Sequence, residues 1–201
     1  MEEVQDGSNL LVEGSSAEAK ERLCHAVLRE GADNGEPSIY VTTKYTAEEV
    51  LERFDVSDPF EQRFGVVECT SHGSAGDDGE MVKHVGSPGD VTGIGIKVSD
   101  LIDLYTEQGI EGGRVCLNSV STLLMYSDLE TVFRFLHVFT GRVRSIGGLG
   151  VYVVEPDMHD PREYSTLVQL FDGTIEVRGE GELEARVTGV GRDVDWVEID
   201  V

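Results

Sequence analysis

Short apolar runs alternating with amphipathic stretches set the frame of this chain. Residues 9 to 13 form an apolar run that predicts a strand, and Gly14-Ser15-Ser16 turns it into a helical pattern from Ala17 to Glu30. Leu23, Ala26, Val27 and Leu28 give that helix its apolar face, with Ser15 or Ser16 as the cap. Ser38 to Thr42 reads as a second strand. Thr46, with Glu49 three residues later, forms a capping-box signature for a helix from Ala47 to Phe54. A third strand spans Phe64 to Cys69. From Ser71 to Gly89 the pattern is polar and glycine-rich, and it predicts a long loop that is either functional or disordered. A helix from Val98 to Gln108 and a buried strand from Arg114 to Leu117 follow.

The clearest helix runs from Leu129 to Arg144. Leu129, Val132, Phe133, Leu136 and Val143 make its core-facing stripe, while Phe135 and Phe139 fall off that stripe and offer a second packed face or a partner surface. Gly150 to Val154 is a strand and Glu163 to Phe171 a short helix. The tail then changes period. Thr174–Arg178, Leu183–Thr188 and Trp196–Ile199 alternate apolar and polar residues between glycine-rich turns, as antiparallel strands do. Strand–helix alternation through residue 154 implies an α/β fold, a mostly parallel sheet with helices on both faces. The expected organisation is one domain over residues 1–201, an α/β core to residue 170 and a C-terminal β meander from 171.

Charge then narrows the environment. The chain has 39 acidic and 16 basic residues, a formal charge of −23, and only four lysines, Lys20, Lys44, Lys83 and Lys97. Such a surface suits a salt-rich cytosol, where screening over about 3 Å at molar salt suppresses self-repulsion. It argues against nucleic acid as a direct ligand, because no basic stripe is visible. No apolar run reaches the ~20 residues of a membrane span, so a cytoplasmic protein with no membrane partner is expected. Cys24, Cys69 and Cys116 have no ligand-type spacing, and Cys24 and Cys116 lie in apolar stretches that predict core positions. Asp157, His159 and Asp160 lack the spacing of a metal site and predict a capped, solvated loop after a strand. No metal site is assigned.

Candidate chemistry sits at the first strand–helix joint. The pattern G-x-x-x-x-G-K-[ST] cradles phosphate with backbone N–H groups, reaches the outer phosphates with lysine and ligates Mg²⁺ with a hydroxyl. Gly14 and Lys20 keep this spacing, but Ala19 takes the second glycine position and Glu21 the hydroxyl position. The joint still offers residual anion binding at a helix N-terminus. Ser119 and Ser121 are poor nucleophile candidates, since no G-x-S-x-G elbow is present and the sequence ties no histidine to them.

With this frame, the Val41-Thr42-Thr43-Lys44 end of the second strand, the stretch from Gly86 to Ile96, the run Arg114–Leu124 and Leu170–Val177, nearly the whole chain resembles the RecA/KaiC-type P-loop ATPases. The resemblance is to the short, divergent KaiC-like proteins of halophilic archaea. It implies a RecA-like sheet, and it marks three departures. Glu21 replaces the Mg²⁺-binding hydroxyl. Asn118 stands where relatives hold the metal's water shell with an aspartate. Lys44, beside Thr43, stands where relatives carry the glutamate that activates water, and neither is a good base at neutral pH. The expectation is therefore a degenerate ATPase frame with no catalytic residues. Any residual ATP or ADP, with Mg²⁺, would meet Gly14, Ser15, Ser16, Lys20, Glu21 and Asn118. The expected role is regulation or scaffolding through a protein partner or copies of the chain, via the 71–89 loop and the off-stripe aromatics. The alternatives are a weak ATP-binding protein or ATPase, with Glu21, Asn118 and Asp157 forming an unorthodox Mg²⁺ site, and a small-ligand sensor at the same sheet edge.

Overall fold

A computed structural model describes residues 7–14, 16–59, 62–70, 78–179, 181–190 and 194–199. Among the described residues, nine strands form one sheet in the order β4-β3-β2-β5-β6-β1-β7-β8-β9. These are β1 (Asn9–Gly14), β2 (Ser38–Thr42), β3 (Phe64–Glu68), β4 (Val82–His84), β5 (Arg114–Asn118), β6 (Leu149–Val153), β7 (Gly173–Arg178), β8 (Leu183–Thr188) and β9 (Val194–Ile199). Strands β1 to β7 pair in parallel; β8 and β9 add an antiparallel ladder beyond β7. The α/β, mostly parallel, RecA-like arrangement with a C-terminal antiparallel extension is thus the one the sequence predicts.

Alternation along the buried strands divides the core into two layers. Leu10, Val12, Tyr40, Cys116 and Val151 face α1 (Ala17–Asp33) and α2 (Ala47–Arg53). Leu11, Val41, Leu117 and Tyr152 face the opposite layer of α3 (Val91–Glu107), α4 (Val120–Tyr126), α5 (Leu129–Ser145) and α6 (Pro161–Val168). Cys24 and Cys116 are core residues, as their apolar surroundings predict, and Cys69 is buried as well. The Thr46–Glu49 capping box is complete, with Thr46 accepting from the Glu49 amide and Glu49 accepting from the Thr46 amide.

Three expectations change. The third long helix starts at Val91, seven residues before the predicted Val98, because Asp90 caps it and accepts from the Gly93 amide at 2.8 Å. Its first turns carry Gly93 and Gly95, which erase the apolar periodicity. Of the long loop, residues 71–77 lie outside the described residues, while 82–84 form the edge strand β4 on β3. Phe139 is not an open aromatic: it is 4% exposed and packs on the α3 side of the core, edge-on to Tyr152.

Candidate functional site

Open parallel sheets bind ligands beyond the carboxyl ends of their strands, and there Gly14, Thr42, Asn118 and Val153 end their strands side by side. The joint after β1 is short. Ser16 caps α1 and accepts from the Ala19 amide at 3.1 Å, so the helix is already running at Ala17. The backbone from Ala17 to Lys20, which in a phosphate loop would curl around the ligand, is helical here. The Lys20 amide bonds back to the Ser16 carbonyl. Ser15 lies outside the described residues. Gly14 is needed for packing, since a Cβ there would lie 2.2 Å from the Val177 carbonyl oxygen of β7.

Lys20 points inward. It shares the buried face of α1 with Leu23, Cys24 and Val27 and is 1% exposed. Its ammonium donates to Glu155 Oε2 at 2.6 Å and to the Gly14 carbonyl at 3.2 Å. Glu155 follows β6, the strand beside β1, and is 35% exposed. The lysine that the motif assigns to phosphate therefore has a carboxylate of the same chain as its counter-ion.

The remaining candidates do not converge on Lys20. The Glu21 carboxylate accepts from Arg53 at 2.8 Å and from the Tyr45 hydroxyl at 3.0 Å, on the wall of a separate polar groove of about 540 Å³ between α1 and α2. Arg53 stacks over the Tyr45 ring at 4.1 Å, and Lys44 lies at its face at 4.6 Å. Asn118 donates from Nδ2 to the Tyr40 hydroxyl at 2.8 Å, and burial holds that phenol well above its ordinary pKa. Thr43 and Asn118 do meet. The Thr43 amide and hydroxyl both donate to the Asn118 carbonyl, and the Ser119 amide donates to Thr43 Oγ1.

One pairing carries no sequence signal. Ser121, in the first turn of α4, lies 2.7 Å from His159 Nε2, and its hydroxyl accepts the Glu155 amide at 2.8 Å. This fixes Glu155 on Lys20 through a second contact. The serine is 2% exposed and its oxygen is enclosed by these partners, which suits positioning and not attack on a substrate. Asp160 caps α6 by accepting from the Arg162 amide, and Asp157 lies in a 3-10 turn, Pro156–Met158. Among the described residues no three metal-ligating side chains converge. On the opposite face of the sheet, Tyr164 donates to Glu13 Oε2 at 2.5 Å, and burial, then the carboxylate, raise its pKa.

A nucleotide's phosphates do not fit these residues as they stand. The loop that would supply N–H groups is helix, the lysine is neutralised, and Glu18 adds a negative charge in the first turn of α1.

Comparison with known proteins agrees on the fold. A KaiC-like protein of the hyperthermophilic archaeon Pyrococcus horikoshii superposes with a TM-score of 0.63 at 12% identity, over 98% of this chain and 86% of that one. At that identity the likeness concerns fold alone. No curated protein matches the chain. Residues 7–177 match the model of DUF7504, a family of unknown function, and the chain belongs to that family.

Proposed function

We propose that this chain is a RecA-like domain that does not hydrolyse ATP and serves as a regulatory or scaffolding protein through contact with a protein partner or with its own copies. The observation that carries the reading is the Lys20–Glu155 pair: the phosphate-seeking lysine is buried and already matched by an internal carboxylate. A phosphate would have to displace the Glu155 carboxylate, whose backbone Ser121 holds beside Lys20. The absence of a base at Lys44 supports the same reading. The rival Mg²⁺ site at Glu21, Asn118 and Asp157 has against it that Glu21 serves Arg53 and Tyr45 while Asn118 serves Tyr40. The strong acidity fits work in a salt-rich cytosol.

The test is a thermal shift in molar KCl with MgATP or MgADP. A ligand present at 100 times its Kd adds about 2.7 kcal/mol of apparent stability. No shift is expected for the native chain at millimolar nucleotide. A clear shift that disappears in Lys20→Ala refutes the proposal.

A further inference from the structure

The layer of helices opposite α1 carries an apolar groove of about 560 Å³ between α3 and α5. Gly95 faces Phe135 across it, where a Cβ would lie 3.6 Å from the ring, in ordinary contact. The ion pair between Arg142 and Asp103 closes the far end. Contacts at 95 with 135 and at 103 with 142 show that the two helices run in the same direction. Exposed apolar side chains gather here. Ile96 is 55% exposed on α3 and Val138 70% exposed on α5, and both line the groove. These are two of the six large apolar side chains exposed among the described residues, and an apolar groove edged by such side chains marks an interaction surface.

Charge identifies the occupant. The α3 wall presents Asp100 and Asp103, and the α5 wall presents Arg134 and Arg142, in a chain with 39 acidic residues and 16 basic ones. Glu130 pairs with Arg134 along α5 at 3.8 Å and leaves the acid–base asymmetry of the two walls in place. A surface with one acidic and one basic wall along parallel helices is self-complementary under a twofold axis parallel to the groove. The geometry points to this face as the interface of a homodimer, with α3 of one copy lying on α5 of the other. Ile96 then meets the second copy's Val138 at the apolar centre. Asp100 comes within one helical turn of its Arg142, because 95 opposite 135 places 100 near 140. This inference rests on the scaffolding reading and names the copy itself as the partner. It uses no residue of the Lys20 site, so its failure leaves the nucleotide test standing.

The experiment is light-scattering mass determination after size exclusion in molar KCl, where repulsion between two chains of charge −23 is screened. The mass is expected to rise with concentration from 22.0 kDa to twice that value. Val138→Asp and Ile96→Asp, both at exposed positions, should hold it at the monomer with unchanged unfolding midpoints. Asp100→Arg, which sets a like charge against the second copy's Arg142, should also dissociate the dimer. A native chain that stays monomeric up to near-millimolar concentration overturns the inference. So does a dimer indifferent to Val138→Asp or to Asp100→Arg.

Discussion

Removing the Glu155 carboxylate is the most direct probe of the site. In Glu155→Ala the Lys20 ammonium keeps only the Gly14 carbonyl, in a position that is 1% exposed. Breaking a fully buried ion pair from one side costs roughly 3–5 kcal/mol, because the surviving charge stays desolvated. Glu155 is 35% exposed and retains part of its hydration, so water enters more readily once it is gone. The expected loss is about 2–3 kcal/mol. At about 2–4 °C per kcal/mol for a domain of this size, the midpoint should fall by about 4–12 °C. Lys20→Met removes the other charge and keeps an apolar stem beside Leu23 and Cys24. It leaves Glu155 free to turn toward water, so its cost should stay within about 1 kcal/mol. On the Lys20→Met background, Glu155→Ala should cost little, giving a coupling energy near 2 kcal/mol. Urea unfolding of the four proteins in molar KCl measures the cycle. A Glu155→Ala cost no larger than that of Lys20→Met, or strict additivity, would refute the counter-ion argument.

Gly14→Ala places a methyl 2.2 Å from the Val177 carbonyl oxygen, in the ladder that joins β1 to β7. Backbone cannot yield as a side-chain tip can, so the loss should reach about 3 kcal/mol, the upper end of ordinary overpacking; a near-neutral result in urea unfolding would show that the strands separate easily. Dialysis from molar to low KCl should lower the midpoint progressively, since 39 acidic residues then repel with little screening. A midpoint independent of salt would count against the charge argument.

The sheet was legible because its strands are short apolar runs bounded by glycine or polar residues, and α1, α2 and α5 announce themselves by caps and stripes. The start of α3 was hidden. Gly93 and Gly95 look like loop residues, yet one lies against the capping Asp90 and the other faces Phe135 of α5. Phe139 belongs to the stripe after all, since Val132, Leu136, Phe139 and Val143 follow one another at four-, three- and four-residue steps on one buried line of α5. Lys20 was misleading in another way. Motif spacing points it at a ligand, whereas its position three and four residues before Leu23 and Cys24 already puts it on the apolar face of α1. Its partner, 135 residues away, leaves no local trace, and neither does the Ser121–His159 bond, which spans 38 residues.

Strand order has a consequence for the way the chain is made. β1 ends at residue 14, but both of its neighbours come late, β6 at Leu149–Val153 and β7 at Gly173–Arg178. During synthesis the earliest strand to emerge has no ladder to join until some 135 further residues have followed it and β6 begins. Its apolar run Leu10-Leu11-Val12 must wait with unpaired edges, the kind of exposed segment that invites wrong pairings in slow, non-local sheets. The β6-β1-β7 part of the sheet thus closes late, after β2, β3, β4 and β5 have emerged, and a ribosome stalled before residue 149 would hold a nascent chain whose first strand has nowhere to go.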